Sequence, residues 1–240
     1  MTNEKINQLF YSQEIHDDKI FLAEDEAQHC FRALRKQAGD IIDVVDGKGN
    51  FYKALIERED IHDCQLKIID CKKNWGHKDY YIHIAIAPPK KHGRMEWFVE
   101  KAVEIGVQEI SFTINENSKR KDIKRSRIQK IAVSSMKQSL KAYLPKINKT
   151  APIKDFLSQC TNPEKYIGHL NNGDKSLLIH TAEPKQEYCV LIGPEGDFTP
   201  DEIKESKDYG FQPISLGDSR LRTETAGIAA CHILNIINEK

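Results

Sequence analysis

From Tyr81 onward, short apolar runs alternate with longer segments whose apolar residues recur every three or four positions. Tyr81–Ala87 and Glu109–Ile114 have the pattern of buried strands, and Arg94–Ile105, followed by Gly106, has the pattern of a helix. Because parallel strands can be joined only by a long crossover, this alternation predicts a mostly parallel sheet with helices on both faces. The same patterns predict helices over Ser126–Tyr143, Ile153–Gln159 and Thr225–Ile237 and strands over Leu177–Ile179, Tyr188–Ile192 and Pro213–Leu216.

The first 72 residues have a different pattern, in which strands predominate. Ile41–Val45 and Phe51–Ile56 flank a glycine-containing turn, which predicts a hairpin. A single helix is predicted over Glu26–Arg35. Several short strands with one helix predict a small β-barrel domain over residues 1–72, which a polar linker joins to an α/β domain over residues 73–240.

The charge of the chain is unevenly distributed. Its 36 lysines and arginines balance its 36 aspartates and glutamates, so the formal net charge is zero. Residues 1–72 carry 10 basic and 15 acidic side chains and residues 150–240 carry 9 and 14, whereas residues 73–149 carry 17 and 7. Lys119 to Lys149 alone hold eleven basic side chains against one acid. A solvated helix face is one explanation of such a run, and a polyanionic partner is the other.

Several classes of protein and site are disfavoured by the sequence. No apolar run approaches the roughly 18 residues that a membrane span needs, and Met1–Phe10 lacks the pattern of a secretory leader. The six cysteines include no C-x-x-C pair, and the histidines have no spacing suited to zinc. Neither a P-loop nor a Rossmann glycine fingerprint is present. We therefore expect a cytoplasmic protein with reduced thiols, no membrane partner and no metal.

A glycine turn follows the strand that ends at Ile192. Gly193 and Gly196 flank Pro194 and Glu195 there, and in α/β sheets ligands bind beyond the carboxyl ends of strands. Glycine lets a ligand approach the backbone closely, so this turn is a candidate binding loop. An ordinary tight turn with proline at its second position explains the same residues without a ligand.

A second loop of this kind leads from Leu216 into the last helix. Thr223 is a candidate N-cap of that helix, and Glu224 suits its first turn. Arg220 and Arg222 are electrostatically unfavourable at a helix N-terminus unless an anion binds nearby. The two arginines therefore favour a ligand site over a purely structural loop.

Two further places concentrate basic side chains. The loop after Tyr81–Ala87 contains Lys90, Lys91 and Arg94, which are suited to phosphate groups. On the helix of the N-terminal domain, basic residues recur at three- and four-residue spacing, at His29, Arg32, Arg35 and Lys36. This spacing predicts one basic helix face, for which simple solvation is the alternative explanation.

The segments His29–Arg35, Arg94–Trp97, Ile192–Gly196 and Leu216–Ala226 are spread over nearly the whole chain. Together and in this order, they resemble the RsmE family of 16S rRNA (uracil-N3)-methyltransferases, which belongs to the SPOUT superfamily. The resemblance implies a PUA-like barrel followed by an α/β domain with a trefoil knot. It also implies S-adenosylmethionine as the cofactor, a uridine in the decoding region of 16S rRNA in the small ribosomal subunit as the target, and a homodimer as the working unit.

The residue patterns and the resemblance together predict individual roles. Arg94 and Arg222 are expected to stabilise the negative charge that develops on uracil or to hold its flanking phosphate, and Glu195 or Glu224 to accept the proton. The expected cofactor-binding residues are His180, Ile192, Gly193, Glu195, Gly196, Leu216, Gly217, Leu221, Thr223 and Ala226. The expected RNA contacts are His29, Arg32, Arg35, Lys90, Lys91, Lys119, Arg120, Lys121, Arg125, Arg127, Gln138 and Lys141.

The sequence departs from the family's pattern at three places. The family tends to have a Lys-Gly-Asp-Arg run where this chain has Lys90 to Arg94, a further glycine where it has Asp197, and a glutamate where it has Lys137. These departures leave the cofactor expectation intact and bear on individual RNA contacts. Two alternatives stay open: a non-catalytic RNA-binding or ribosome-assembly factor on the same scaffold, and a SPOUT methyltransferase with a different RNA target.

Overall fold

The computed structural model describes residue 6 and residues 8–170 and 175–239. The chain divides into two compact units. The first comprises the described residues up to His77 together with Val133–Leu144, and the second comprises Lys78–Ala132 and the described residues from Pro145 onward. Within the described residues of both units, no helix is long and apolar enough to cross a membrane. Most of Met1–Phe10, where the sequence predicts no leader, lies outside the described residues.

The first unit is built on a six-stranded sheet in the order β1-β4-β5-β6-β3-β2. Its strands are β1 (Leu9–Tyr11), β2 (Glu14–His16), β3 (Lys19–Leu22), β4 (Ile41–Val45), β5 (Phe51–Arg58) and β6 (Cys64–Lys72). β1 and β4 are parallel and the other pairs are antiparallel. The predicted hairpin is confirmed as β4–β5, and the Asp46 carboxylate closes its turn by accepting the amides of Lys48 at 2.7 Å and Asn50 at 3.1 Å.

The helix of the first unit differs from the prediction. α1 is an α-helix only over Glu24–Gln28, and it continues as a π-helical turn over His29–Ala33. Arg35 has a left-handed backbone with φ of 55° and lies beyond the helix. Because a π-helical turn contains more residues than an α-helical turn, the spacing of His29, Arg32 and Arg35 does not place them on one α-helical face. The single basic face predicted for these three residues is therefore wrong.

The second unit is built on a seven-stranded sheet in the order β11-β13-β10-β12-β7-β8-β9, with every pair parallel. The predicted parallel sheet is thus confirmed. Its strands are β7 (Tyr81–Ile86), β8 (Glu109–Ile114), β9 (Lys146–Pro152), β10 (Glu164–Gly168), β11 (Ser176–Leu177), β12 (Glu187–Ile192) and β13 (Gln212–Ser215). The sequence patterns predicted neither β9 nor β10, because their few apolar residues show no clear period.

Six helices in the described residues accompany this sheet: α2 (His92–Ile105), α3 (Arg125–Gln138), α4 (Ile153–Gln159), α5 (Leu178–Thr181), α6 (Pro200–Asp208) and α7 (Thr223–Asn238). The last residues of α3 belong to the first unit. α3 ends earlier than predicted, before Leu140, whose φ of 54° is incompatible with a right-handed helix. The strand predicted over Leu177–Ile179 is wrong, since β11 ends at Leu177 and α5 begins at the next residue.

Helix α7 packs against α2 and β7. Gly227 makes this close packing possible, because a Cβ at this position would lie 2.6 Å from Phe98 and 3.1 Å from Ile86. The start of α7 is thereby held close to the sheet, and the loops that follow β10, β12 and β13 are its neighbours at the candidate site.

Candidate functional site

A cavity of about 480 Å³ lies at the carboxyl ends of β10, β12 and β13. Gly168, the last residue of β10, pairs with Ile192 on one side and with Ile214 on the other, and all three line the cavity. Its volume is within the usual range for small-molecule sites. The remaining lining residues are His169, Leu170, Lys175, Gly193, Pro194, Glu195, Asp197, Ser215, Leu216, Gly217, Asp218, Ser219, Arg220, Leu221, Arg222, Thr223 and Ala226.

The structure places most of the predicted cofactor-binding residues around this cavity. Those that line it are Ile192, Gly193, Glu195, Leu216, Gly217, Leu221, Thr223 and Ala226. They come from two segments of the chain that meet because β12 and β13 flank β10. The cavity lining does not include His180 or Gly196.

His180 and Gly196 have other surroundings. His180 lies on the short helix α5, where it is exposed. A Cβ on Gly196 would lie 3.1 Å from Asn117, whose amide donates to the Gly196 carbonyl at 3.3 Å. Gly196 thus packs closely against Asn117, and the structure does not support either residue as part of the cavity wall.

The two predicted loops are tied to each other through Gly193 and Thr223. The Thr223 hydroxyl donates to the carbonyl of Gly193 at 3.0 Å, and both groups are buried. Thr223 is therefore not the N-cap that the sequence predicts; Arg222 occupies that position without a side-chain cap. A Cβ on Gly193 would lie 2.8 Å from the ring of Phe198, so glycine is required for this close approach.

Arg94 lies between two carboxylates at the edge of the cavity. Its Nε is 3.4 Å from Oε1 of Glu224, and its Nη1 is 3.5 Å from Oε1 of Glu195. The backbone amide of Lys90 also donates to Glu195, at 3.3 Å. The Glu224 side chain is only 6% exposed, and its Oε2 has no hydrogen-bond partner among the described residues. Three of the four predicted catalytic residues, Arg94, Glu195 and Glu224, therefore form one charged cluster. The fourth, Arg222, lines the cavity.

His169 is a cavity residue that sequence reasoning missed. It follows β10 directly, and both of its ring nitrogens are buried without a hydrogen-bond partner in the described part of the chain. Burial, followed by the charge of Lys175, lowers the pKa of its imidazole below the usual value. The sequence indicates this position only weakly. The apolar pair Tyr166 and Ile167, followed by Gly168 and His169, is the one sign of a short strand that ends at a glycine and a polar residue.

Asp197, one of the departures from the family's pattern, has a structural explanation. Its φ is 62°, in the left-handed region where glycine is favoured and aspartate is tolerated. Its Oδ2 accepts the backbone amide of Leu170 at 2.8 Å. The aspartate therefore links the turn after β12 to the loop after β10, a link that glycine at this position does not provide.

The predicted RNA contacts divide into exposed and internally engaged side chains. Exposed residues are Arg32, Arg35, Lys90, Lys91, Lys119, Lys121, Arg125, Arg127 and Gln138, whereas His29 and Lys141 are half-buried. Arg120 is buried, donates from Nε to the Asp122 carbonyl at 2.8 Å and contacts His92. Because its guanidinium is used inside the protein, the structure does not support Arg120 as a surface contact.

Two of the exposed arginines, and one lysine, have partners within their own unit. Arg127 forms a bidentate pair with Glu96 at 2.5 and 2.8 Å, and Arg125 donates to the Ile147 carbonyl at 3.0 Å. In the first unit, Lys137 forms an ion pair with Glu26. The departure at Lys137 is thus balanced by a local carboxylate.

The cavity combines apolar walls with convergent polar groups. Apolar surface comes from Ile192, Ile214 and Leu221, and polar groups come from the backbone turns, from His169 and from the charged cluster at the edge. This donor set fits a small organic ligand with both apolar and hydrogen-bonding parts. Among residues 6, 8–170 and 175–239, no group of three or more histidine, cysteine, aspartate or glutamate side chains is arranged to hold a metal ion.

Two family models match the sequence. A model described as an RNA methyltransferase domain matches residues 77–235, and a model described as an RNA methyltransferase PUA domain matches residues 22–69. The first match contains the cavity and the charged cluster. The second lies within the six-stranded sheet unit.

Solved structures and curated proteins resemble the chain over nearly its full length. A probable rRNA-methyltransferase from Porphyromonas gingivalis is 40% identical, with a TM-score of 0.90, over 97% of this chain and 98% of that one. Ribosomal RNA small subunit methyltransferase E from Neisseria gonorrhoeae, bound to S-adenosyl methionine, is 26% identical, with a TM-score of 0.85, over 96% and 98%. The curated protein of the same name from Buchnera aphidicola subsp. Acyrthosiphon pisum is 29% identical over 95% of this chain and 92% of its own length.

Proposed function

The chain belongs to the RsmE family of RNA methyltransferases, and from that premise we propose that it methylates N3 of a uridine in the decoding region of 16S rRNA. It is an S-adenosylmethionine-dependent rRNA methyltransferase. The observation that carries the proposal is the position of the Arg94 cluster at the edge of a cavity lined by the predicted cofactor residues. A methyl donor in the cavity and a base at its edge would then be adjacent.

The residues around the cavity fit this cofactor. Ile192, Ile214 and Leu221 provide apolar surface, and the turns at Gly193 and Gly217 line the lumen without a side chain. When bound, S-adenosylmethionine supplies an electrophilic methyl group on a sulfonium. The protein's contribution is to hold the acceptor nitrogen in line with that group and to exclude water, which accounts for much of the rate in a transfer of this kind.

Of the two candidate bases, the geometry favours Glu195. Its side chain is 35% exposed and lines the cavity, so it is accessible to an incoming base. Glu224 is nearly fully buried and does not line the cavity. We assign Glu195 as the acceptor of the N3 proton and Glu224 as the residue that orients Arg94. Loss of that proton to Glu195 would leave an electron pair on N3, available for the methyl group that S-adenosylmethionine would supply.

Two arginines are suited to the negative charge that this step creates. Arg94 is held by its two carboxylates at the cavity edge, where it can approach a uracil oxygen. Arg222 lines the cavity at the start of α7, where it can hold the flanking phosphate. Fixed cations of this kind stabilise charge that develops in a transition state.

We propose that RNA is held by the exposed lysines of two loops in the second unit. These are Lys90 and Lys91 before α2 and Lys119 and Lys121 before α3. Exposed Arg32 and Arg35 are proposed contacts from the first unit. Phosphate contacts release counterions, so the affinity for 16S rRNA should fall steeply with salt. A nearly flat dependence on salt would contradict these assignments.

The resemblance supports finer proposals on architecture and assembly. We propose a PUA-like RNA-binding β-barrel domain in residues 1–72, a trefoil knot in the methyltransferase domain over residues 73–240, a homodimer as the working unit and a cytoplasmic location. Sedimentation at micromolar concentration tests the dimer. A monomer that retains full activity would contradict it.

The decisive experiment is single-turnover methylation of unmodified 16S rRNA and of unmodified small subunits, followed by mass spectrometry of the nucleosides. N3-methyluridine at one position is the expected product; methylation of another atom or another RNA would support the alternative SPOUT target. Glu195→Gln should lower the rate about 100-fold or more, since general-base catalysis contributes that much. The matched control is Glu187→Gln, an exposed glutamate at the opposite end of β12.

Two outcomes would contradict the proposal. Failure of the wild-type protein to bind S-adenosylmethionine would favour a non-catalytic RNA-binding factor. A Glu195→Gln variant with the wild-type rate would exclude Glu195 as the base. Glu224 would then be the next candidate for the base, and Glu224→Gln the variant that tests it. For Glu224→Gln we expect a smaller loss, about tenfold, because Arg94 keeps its contact with Glu195.

A further inference from the structure

His169 is positioned without the help of its side chain. Its backbone carbonyl accepts from Nζ of Lys175 at 2.7 Å, and the following amide, that of Leu170, donates to Asp197 at 2.8 Å. The loop after β10 is therefore held by main-chain contacts. The imidazole lines the cavity, and neither ring nitrogen has a partner among the described residues.

An unpaired buried nitrogen is costly, because the group loses its hydrogen bonds to water and gains none in the protein. Most buried polar groups are paired, and exceptions need an explanation. At His169 both nitrogens are exceptions, and both lie in a side chain of the cavity wall. An apolar side chain would fill this space at a lower cost, so the ring is suited to a ligand.

The surroundings of the ring indicate the chemistry of that ligand. Burial and the nearby charge of Lys175 lower the pKa of the imidazole, and these effects outweigh the opposing charge of Asp197. The ring is thus neutral at pH 7 and presents one donor and one acceptor. An uncharged group with both an acceptor and a donor matches it, whereas a carboxylate would match a protonated ring.

We propose that His169 binds the adenosine half of the cofactor, through the ribose hydroxyls or the edge of the base, and not its charged amino-acid half. This inference rests on the proposed function, because it takes S-adenosylmethionine as the occupant of the cavity. The sequence predicts His180 as the cofactor-binding histidine, whereas in the structure it is His169 that lines the cavity.

Calorimetric titration of the full-length protein with two ligands tests the proposal. S-adenosylhomocysteine contains both halves of the cofactor, and 5′-methylthioadenosine lacks the amino-acid half. His169→Ala should weaken the binding of both ligands by about tenfold, or about 1.4 kcal/mol. The matched control, His180→Ala, should bind both as the wild type does, because His180 is exposed and outside the cavity wall.

A second variant separates binding from folding. His169→Phe keeps an aromatic ring but removes both nitrogens, so the ligand-free protein should unfold at the same temperature or a higher one while its binding weakens as in His169→Ala. Three results would overturn the proposal: unchanged binding of both ligands, weakening confined to S-adenosylhomocysteine, or a loss of thermal stability in His169→Phe with unchanged binding. If the wild type binds neither ligand, the proposed function itself fails.

Discussion

The two ends of the parallel sheet both carry buried polar side chains, and they differ in whether those side chains are paired. At the amino ends of β7, β8 and β9 lies a group of side chains that we term the amino-end cluster: Tyr81, His83, Glu109, Ser111, Lys146, Asn148 and Asn162. At the carboxyl ends of β10, β12 and β13 lies the candidate site.

The amino-end cluster is connected by internal hydrogen bonds. Glu109 accepts from the Tyr81 hydroxyl at 2.8 Å, from Lys146 at 2.9 Å and from Asn148 at 2.6 Å. His83 bonds with Ser111 at 2.8 Å through its Nε2. Burial alone would raise the pKa of Glu109, but its interaction with His83 and these hydrogen bonds hold it below the usual value. Such a network stabilises the fold and leaves nothing for a ligand.

The candidate site has the opposite character. Both ring nitrogens of His169 and Oε2 of Glu224 are buried and unpaired within the described residues. Arg94 reaches its two carboxylates only at 3.4 and 3.5 Å, which is long for charged hydrogen bonds. The comparison teaches that burial of polar groups does not itself mark a site. What distinguishes the candidate site from the amino-end cluster is unsatisfied hydrogen-bonding capacity at the cavity, from which the fold gains nothing.

The largest expected effect is on the amino-end cluster. Glu109→Ala should lower the free energy of unfolding by about 3 kcal/mol, because it removes the acceptor of the Tyr81 hydroxyl and of the Asn148 amide. The affinity of the folded protein for S-adenosylhomocysteine should not change. Urea denaturation and calorimetry measure the two quantities. A large loss of affinity with little loss of stability would remove the distinction between the two ends of the sheet.

Arg94→Ala should have a smaller effect on stability and a larger one on activity. Leaving Glu224 buried without a cation should cost about 2 kcal/mol, and methylation should fall at least 100-fold. Adding Glu224→Gln should restore about 1 kcal/mol of stability but not the methylation rate. If the double variant regains activity, the assignment of Arg94 to the developing charge is wrong.

The next prediction concerns the left-handed backbone conformation of Asp197, which lines the candidate site. Asp197→Ala should destabilise the protein by about 1 kcal/mol more than Asp197→Gly, because alanine is strained at φ of 62° and glycine is not. Both variants lose the contact with the Leu170 amide. Equal stabilities, measured by thermal unfolding, would contradict the strain argument.

The smallest expected effect is a dependence of stability on pH from His83. Burial lowers the pKa of this imidazole in the folded protein, so the unfolded chain binds more protons as pH falls through its ordinary value near 6.5. Stability should therefore decrease as pH drops below about 6.5. The decrease should be smaller in His83→Gln, which cannot titrate. Parallel urea titrations at several pH values would show whether the two slopes differ; identical slopes would exclude His83 as the source.

Much of the second unit was predictable from the sequence, because its central strands and long helices have strong apolar patterns. The strands β7, β8 and β12 and the helices α2, α4 and α7 were predicted within a few residues of their observed bounds. The turn after Ile192 and the loop after Leu216 were predicted to form one site, and they line one cavity. Errors arose at β9 and β10, where few residues are apolar, and at α5, where the short apolar run Leu177–Ile179 was predicted as a strand.

What the sequence determined by itself is local: which segments bury a face, where glycine permits a tight turn, and which loops concentrate charge. Tertiary structure decided which polar atoms have partners, since these depend on residues far apart in the chain. β10 lies between β12 and β13, and this strand order brings His169 to the cavity that Gly193 and Leu216 were predicted to form. Arg120, from the most basic stretch of the sequence, is buried instead against Asp122 and His92. Periodicity reports the burial of a face, whereas the pairing of polar atoms is set by strand order and packing.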